Sequence, residues 1–308
     1  MSEPRLHHLV HELTVPAPAG VVYGLIADTT QWPLFMPSVI HVEQLEFDGA
    51  RERLRMYATA NGTVSTWAST RVLDPERRVV SFRHEAPAAP LTAMEGRWTV
   101  TPLKADRTVI RIEHDFAVRG EDAGEGRWVE RATEDNSRAD LARFGALAAR
   151  WTGLDEAVLT FEDSVRIHGS ADLAYDTLHR AADWAEELPE WAGLTVTEQQ
   201  PGVQRLTLPD AEAGRSQLRI CFPHAERIVF KDVDPGPLVE SHIGEWSVEP
   251  DEGVVTLTVA HRVVLSEQAT SSAEARRAVR ETLGARGAAL LGLAKHQAET
   301  KVPVLWPR

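Results

Sequence analysis

Three side chains suited to carbonyl chemistry alternate along residues 63–73. Trp67, Ser69 and Arg71 occupy every second position there, so in a β-strand they share one face. If that face lines a cavity, the Arg71 guanidinium is a fixed cation that does not lose its proton. It can hold carbonyl oxygens and stabilise an enolate or alkoxide that develops during a reaction. The alternative is an arginine on an edge strand that reaches water.

Two further side chains extend this set of candidates. Arg83, in the short strand predicted at residues 79–84, is a second candidate cation. His114 falls in an apolar row with Ile112 and Phe116. An inward histidine can transfer protons near neutral pH, but it can equally be a core residue whose ring nitrogens are satisfied by hydrogen bonds.

The chain contains an internal repeat. Gly96–Pro102 reads Gly-x-Trp-x-Val-x-Pro, and so does Gly244–Pro250, which lies 148 residues later. Nearer the start of each copy the displacement is 152, and it aligns Ala19 with Ala171, Tyr23 with Tyr175, Trp32 with Trp184, and Pro37 with Pro189. The repeat predicts two homologous domains, residues 1–150 and 158–308, joined by a short linker at residues 151–157.

The second copy keeps the candidate cations but not their surroundings. The repeat aligns Arg71 with Arg219, Arg83 with Lys231, Trp98 with Trp246, and His114 with His261. Trp67 and Ser69 instead align with Arg215 and Gln217. We therefore expect the second pocket to be more polar than the first and to have a different shape.

The pattern of strands and helices positions these residues. Each copy has an extended segment, short helices, a meander of antiparallel strands and one long C-terminal helix, predicted at residues 133–149 and 272–298. A curved antiparallel sheet cannot bury its concave face alone, and the terminal helix can lie across it. The sequence thus predicts an α+β protein of two tandem helix-grip domains, each with an internal cavity for an elongated apolar ligand.

Composition and missing motifs exclude several classes of protein. Lys and Arg number 33 against 46 for Asp and Glu, a net charge of −13, which argues against a nucleic-acid binder. Cys221 is the single cysteine, so disulfide frameworks and multi-cysteine metal sites are excluded. No nucleotide-loop, serine-hydrolase or His-Glu-x-x-His motif is present, and we expect neither cofactor nor metal. Without a membrane-spanning apolar run or a signal segment, we expect a cytoplasmic protein with no membrane partner.

Three segments resemble the aromatase/cyclases of bacterial type II polyketide synthases. They are Trp32–Phe35 (WPLF), Trp67–Arg71 (WASTR) and Gly96–Trp98 (GRW). That family belongs to the START/Bet v 1-like helix-grip superfamily, and the duplication resembles its di-domain members. The resemblance implies an enzyme that folds a poly-β-ketone tethered to an acyl carrier protein, closes the first ring by an aldol reaction of the C7–C12 type, and dehydrates it to an aromatic ring. The implied partners are the carrier protein, the minimal synthase and, for some members, a ketoreductase.

The resemblance also implies roles for individual residues. Arg71 would stabilise the enolate, Ser69 would orient a hydroxyl group or water, and Arg83 would hold a further carbonyl. His114 would act as a proton shuttle. The side chains that would shape the folded substrate are Trp32, Phe35, Trp67 and Trp98. Family members often carry a tyrosine just beyond the first of these tryptophans, and residues 36–39 (MPSV) provide no phenol.

The second domain has two interpretations. It is either a second pocket for dehydration or aromatisation, with Arg219, Lys231, Trp246 and His261 as its candidates, or a structural partner with a degenerate cavity. For the whole protein, the main alternative is a non-catalytic carrier of a lipid or other apolar ligand, because the fold alone does not decide function. A scaffold for a synthase complex is a third class.

Docking of an acidic carrier protein would require a local basic patch, because this chain is itself acidic. Two clusters of arginines are candidates: Arg51, Arg53 and Arg55 on one predicted strand, and Arg276, Arg277 and Arg280 on the last predicted helix. For each cluster the alternative is an ordinary solvated surface.

Overall fold

In the computed structural model the chain divides into two compact units, Met1–Leu154 and Asp155–Arg308. The structure describes residues 5–60, 62–119, 123–208 and 216–300. The division falls within the predicted linker, which is helical: a 3₁₀ turn at Trp151–Gly153 precedes a short helix at Leu154–Ala157.

The first unit contains seven strands and three α-helices among its described residues. In chain order these are β1 (Arg5–Val15), α1 (Ala19–Ala27), α2 (Trp32–Phe35), β2 (Val39–Phe47), β3 (Arg51–Ala60), β4 (Thr63–Asp74), β5 (Val79–His84), β6 (Leu91–Lys104), β7 (Arg107–Val118) and α3 (Ala123–Ala149). The strands form one antiparallel sheet in the order β1-β7-β6-β5-β4-β3-β2.

The second unit repeats this arrangement. After the short helix α4 (Leu154–Ala157), its elements are β8 (Val158–Ile167), α5 (Ala171–His179), α6 (Trp184–Glu187), β9 (Thr195–Gln200), β10 (Val203–Thr207), β11 (Ser216–Phe222), β12 (Arg227–Asp232), β13 (Val239–Asp251), β14 (Val254–Leu265), α7 (Glu267–Thr270) and α8 (Ala273–Thr300). Its sheet order, β8-β14-β13-β12-β11-β10-β9, is that of the first sheet. No described helix is long and apolar enough to cross a bilayer.

The long helices cover their sheets with the faces that their spacing predicts. Leu141, Phe144 and Leu147 of α3 are buried, as expected from their helical periodicity. The helix begins at Ala123, ten residues before the predicted start, because the apolar periodicity is clear only in its second half. The predicted hairpin between β3 and β4 is also present, with Ala60 paired to Thr63, although Asn61 lies outside the described residues.

Candidate functional site

The alternating row of β4 faces the interior of the first unit. Ser69 and Arg71 are each 5% exposed and Trp67 is half-buried, whereas Thr70 and Val72 between them are exposed. Of the two alternatives for this row, the structure shows the inward one. The hydroxyl of Ser69 donates a hydrogen bond to the backbone carbonyl of Arg83, at 3.0 Å.

Arg71 does not present a free cation to a cavity. Its Nη1 atom lies 2.7 Å from Oε1 of the buried Glu52, and its guanidinium donates to the carbonyls of Ile26 (2.8 Å) and Ala27 (3.2 Å). These carbonyls are at the end of α1, where helical partners are lacking. The guanidinium carbon also lies 5.4 Å from the centre of the Trp32 ring. The predicted carbonyl-binding role is not supported, because Arg71 holds α1 and Trp32 against the sheet.

Burial sets the ionisation of this arginine. Desolvation lowers the pKa of Arg71 to about 10, and the Glu52 carboxylate offsets part of that loss. The guanidinium therefore stays charged at neutral pH. We call the assembly of Arg71 with Glu52, the end of α1 and Trp32 the helix clamp.

The second unit has the same clamp without the carboxylate. Arg219 is 1% exposed and donates to the carbonyl of Leu178 at 2.6 Å, and its guanidinium carbon lies 5.1 Å from the centre of the Trp184 ring. Its cross-strand neighbour is Gln204, whose amide donates to the carbonyl of His179 at 3.2 Å. Arg219 is therefore a structural residue too, and burial lowers its pKa.

The prediction for Arg83 is wrong. Its side chain is 71% exposed and bonds to Glu95, with Nη2 2.6 Å from Oε2. The reason is the alternation of β5, in which Val80, Phe82 and His84 occupy the face opposite to Arg83. His84 is thus the polar residue that this strand contributes to the interior.

The same alternation corrects the prediction for Lys231. Phe230 and Asp232 line the pocket of the second unit, so Lys231, which lies between them on β12, points to the other face of the sheet.

Four half-buried side chains cluster on the inner face of the first sheet. The Trp67 and His84 rings lie 5.7 Å apart, and Phe82 lies 6.3 Å from His84 and 5.5 Å from His114, centre to centre. Each of the four keeps part of its surface accessible although it lies between the sheet and the elements that cover it. The cluster is therefore the part of this inner face that a ligand could reach.

His114 is held in one tautomer by α3. The Ser137 hydroxyl lies 3.3 Å from His114 Nδ1 and donates its only proton to the Thr133 carbonyl, at 2.7 Å. Towards His114 the hydroxyl must therefore accept, so Nδ1 carries the proton and Nε2 keeps a lone pair. Burial lowers the pKa of His114 to about 4, with a smaller contribution from the nearby His84. Burial likewise lowers the pKa of His84 to about 4.

Asp140 is a further titratable group of this interior that the sequence interpretation missed. It lies one helical turn beyond Ser137 on α3, and within the described residues its carboxyl group has no ion-pair or hydrogen-bond partner. Burial raises its pKa to about 6. A signal was present, because Asp140 is spaced four and seven residues from the inward-facing Phe144 and Leu147.

The glycine of the repeated motif makes room for an aromatic ring. Phe82, Gly96 and His114 are neighbours across three strands, and a Cβ atom at Gly96 would overlap both the Phe82 ring and the carbonyl of Glu113. Its counterpart Gly244 lies under Phe230 in the same way. The repeat thus preserves a packing rule, in which a phenylalanine lies over glycine beside an inward histidine.

Two of the predicted substrate-binding aromatics belong to the core or the clamp. Trp98 is 4% exposed and packs edge-on against Phe144 at 5.4 Å, so its predicted contact with substrate is not supported. Trp32 also packs against Phe144, at 5.9 Å, and its indole donates to the Leu25 carbonyl at 3.1 Å. Phe35 is half-buried at the end of α2. Trp67, in contact with His84, remains the tryptophan best placed for a ligand.

The second unit contains a hydrogen-bonded chain of three titratable residues. Nδ1 of His242 lies 2.6 Å from Oδ2 of Asp232, and its Nε2 lies 2.9 Å from Nδ1 of His261. All three line a pocket of about 70 Å³, together with Trp184, Trp191, Gln217, Trp246 and Arg286. The predicted candidates His261 and Trp246 are therefore at the pocket. Arg215, aligned with Trp67, lies outside the described residues.

Comparison with known proteins identifies the family. Residues 15–139 match the family model described as polyketide cyclase/dehydrase and lipid transport. The chain is 36% identical to the granaticin polyketide synthase bifunctional cyclase/dehydratase of Streptomyces violaceoruber, over 97% of this chain and 95% of the relative. It is also 36% identical to the actinorhodin counterpart of Streptomyces coelicolor, over 94% and 96% of the two chains. The chain belongs to the polyketide cyclase/dehydratase family.

Solved structures agree with this family assignment. The di-domain ARO/CYC BexL from the BE-7585A biosynthetic pathway is 35% identical, with a TM-score of 0.85 over 96% of this chain and all of that one. The di-domain ARO/CYC StfQ from the steffimycin pathway is 28% identical, with a TM-score of 0.80 over 94% and 98% of the chains. The predicted fold class, two tandem helix-grip domains, is confirmed.

The arginine clusters of this cyclase/dehydratase family member are largely neutralised. Arg53 bonds to Glu85 at 2.6 Å and Arg55 to Glu43 at 3.1 Å. On α8, Arg280 bonds to Asp163 at 2.7 Å, and Arg276 donates to two backbone carbonyls. Arg51 and Arg277 are exposed. Neither cluster is a strongly basic patch.

Proposed function

We propose that this protein is a cofactor-independent polyketide aromatase/cyclase that closes the first ring of a poly-β-ketone and dehydrates it. The observation that carries the proposal is the cluster of Trp67, Phe82, His84 and His114 inside the first unit, in which the contact with Ser137 leaves a lone pair on His114 Nε2. Asp140, on the same helix as Ser137, is the proposed acid, because burial raises its pKa to about 6. A base and an acid with separated roles are what an aldol closure followed by loss of water requires.

The proposed steps use only these groups and the substrate. His114 Nε2 takes a proton from a methylene flanked by two carbonyls, and the resulting enolate carbon attacks a distant carbonyl of the same chain. The new carbon–carbon bond leaves an alkoxide, which takes the proton of protonated Asp140. The proton that His114 took from the methylene then passes to the Asp140 carboxylate, so that both groups return to their starting states. Methylenes between two carbonyls are acidic, so a neutral histidine of low pKa suffices as the base.

The enolate oxygen needs a hydrogen-bond donor, and the arginines do not supply one. Arg71 is committed to the helix clamp, and Arg83 points to solvent. A neutral His84 has one ring N–H to donate and lies beside Trp67 on the inner face. We assign His84 to the oxyanion and Trp67 with Phe82 to the folding of the chain, because apolar rings fix where a flexible polyketone bends.

The substrate carrier and the reaction partners are part of the proposal. The relatives named above are polyketide synthase components, which supports a carrier-protein-tethered poly-β-ketone from a minimal synthase, with or without a ketoreductase. The exposed Arg51 and Arg277 remain the cations of the two predicted docking clusters that can meet an acidic carrier protein.

The proposal is tested by reconstitution with a minimal polyketide synthase and analysis of products by mass spectrometry and NMR. The full chain should convert a mixture of spontaneously cyclised products into one regioisomer, and His114→Gln should return the mixture. Arg83→Gln, on the outer face, is the matched control and should keep the regioisomer. An identical mixture with and without the protein would reject the enzyme and favour the carrier of an apolar ligand.

A further inference from the structure

The three-residue chain of the second unit has the hydrogen-bond pattern of a proton-accepting site. The carboxylate of Asp232 can only accept, so His242 Nδ1 donates to it at 2.6 Å. In neutral His242 the Nε2 atom then accepts, and His261 Nδ1 must donate to it at 2.9 Å. This order leaves a lone pair on His261 Nε2, which is buried and has no hydrogen-bond partner among the described residues.

The surroundings keep these rings in place. His242 and His261 are 3% and 4% exposed, and their rings are stacked with centres 5.2 Å apart. Phe230 packs edge-on against both, and Phe161 stacks on His261 at 4.7 Å. Gln217 donates to the other oxygen of Asp232, at 2.9 Å.

The charges fit a base supported by a carboxylate. Burial would raise the pKa of Asp232, but the hydrogen bonds that it accepts from His242 and Gln217 outweigh burial and hold the pKa below its ordinary value, so Asp232 is ionised. Burial lowers the pKa of His261 to about 3, which alone would make it a weak base. The hydrogen bond to His242, backed by Asp232, lets positive charge spread along the chain when His261 accepts a proton.

No equivalent arrangement is present among the described residues of the first unit. The repeat aligns Asp232 with His84 and His242 with Met94, and a thioether cannot pass a proton. The two interiors therefore differ in chemistry, although they share the clamp and the phenylalanine–glycine packing.

We propose that the second unit holds a separate acid–base site that dehydrates a β-hydroxyketone ring, with His261 as the catalytic residue and His242 and Asp232 as positioning residues. The inference rests on the proposed function, because the ring is the product of the first unit. Arg286 also lines the pocket, and its charge contributes to the lowered pKa of Asp232.

The step is balanced in protons and electrons. His261 Nε2 removes the proton from the carbon next to the ketone, and the C–H electrons form the new carbon–carbon double bond. The bond to the β-hydroxyl breaks, and that group takes the proton back from His261, so that water leaves and the histidine is neutral again. The pocket in which this step takes place has a volume of about 70 Å³.

The test measures dehydration separately from ring closure. His261→Gln, His242→Gln and Asp232→Asn are made in the full chain and supplied with a minimal synthase, and mass spectrometry gives the ratio of dehydrated ring to the hydrated form that is 18 Da heavier. We expect His261→Gln to keep the regioisomer and to lower the dehydration rate by about 100-fold or more. Asp232→Asn should lower it less and displace its pH profile, which a purely structural role would not do. His224→Gln, at an exposed histidine of the same unit, is the matched control.

The outcomes separate this inference from the proposed function. Unchanged dehydration ratios and pH profiles in folded His261→Gln and Asp232→Asn would overturn it, while absence of the regioisomer with the wild-type chain would overturn the proposed function instead. If these variants do not fold, the inference can still be tested on the wild-type chain by ¹⁵N NMR of the histidine rings. The inference requires His261 to be protonated at Nδ1 and unprotonated at Nε2. The opposite tautomer would reject the inference.

Discussion

Arg71 and Glu52 form a buried ion pair, with 2.7 Å between Nη1 and Oε1 and side chains that are 5% and 2% exposed. Their counterparts in the second unit, Arg219 and Gln204, keep the cation and replace the carboxylate by an amide. Arg71 donates to carbonyls at the end of α1, and Arg219 donates to the Leu178 carbonyl near the end of the corresponding helix α5. Both copies of the repeat therefore keep the contacts between the arginine and the helix, whereas only the first keeps a carboxylate beside it. This indicates that the arginine has a structural role in both units.

Removing this arginine should destabilise the first unit strongly. Arg71→Ala leaves the Glu52 carboxylate buried without a cation and frees the carbonyls of Ile26 and Ala27, and we expect a loss of about 3–5 kcal/mol of unfolding free energy. Urea denaturation checks this value. Arg83→Ala is the control, because the exposed pair with Glu95 is worth no more than about 1 kcal/mol. Equal, small losses for the two variants would contradict the clamp.

The alternation of polar and apolar residues predicted the faces of β4 correctly but did not reveal what Arg71 touches. Its partners Glu52, Ile26 and Ala27 come from β3 and α1, and no local pattern reports that three acceptors converge on one guanidinium. An inward arginine in an apolar row was therefore interpreted as a free cation. The helices and strands themselves were predictable, because their periodicity is local.

The errors at β5 and α3 have a different cause. The alternation of β5 places Val80, Phe82 and His84 on the inner face, so a charged side chain at position 83 points to solvent. The helical spacing of Asp140 from Phe144 and Leu147 is a weak signal by itself, because an aspartate on a long helix is normally solvated. The chain that ends at His261 needed the register of β12, β13 and β14, which only the sheet supplies.

The glycine of the repeated motif should not tolerate a methyl group. In Gly96→Ala the Cβ atom overlaps the Phe82 ring and the Glu113 carbonyl, and we expect a loss of about 1–3 kcal/mol from overpacking. Gly24→Ala, in α1 with no atom within 4 Å of the new Cβ, should be neutral or stabilise by up to about 1 kcal/mol. Thermal unfolding measures the difference in stability between the two variants. Similar shifts in their unfolding temperatures would show that the packing of the Phe82 ring does not require glycine at position 96.

Two tryptophans of the first unit should separate stability from product choice. Trp98→Ala removes a core ring that packs on Phe144 and should cost about 3–5 kcal/mol. Trp67→Ala removes a half-buried ring beside His84 and should cost less, while it scatters the regiochemistry of the cyclised product. Denaturation and product profiling of both variants check this division. A Trp67→Ala enzyme with the wild-type product profile would exclude Trp67 from shaping the substrate.

We expect Asp140 to lower the stability of the folded chain while it takes part in the reaction. Its pKa is about 6 in the folded chain against an ordinary 3.8. Between these two pH values the folded state therefore binds more protons than the unfolded state. The contribution of Asp140 to the free energy of unfolding consequently falls as the pH rises from 3.8 to about 6. Above pH 6 the buried carboxylate costs up to about 3 kcal/mol. Asp140→Asn removes this cost. The stability difference between Asp140→Asn and the wild type, followed by urea denaturation, should be small near pH 3.5 and grow until about pH 6. The same variant should slow ring closure most below about pH 6, where the wild-type Asp140 is protonated and can give its proton to the alkoxide. A pH-independent difference in stability would show that the Asp140 carboxyl has an ordinary pKa, and unchanged turnover would remove it from the proposed mechanism.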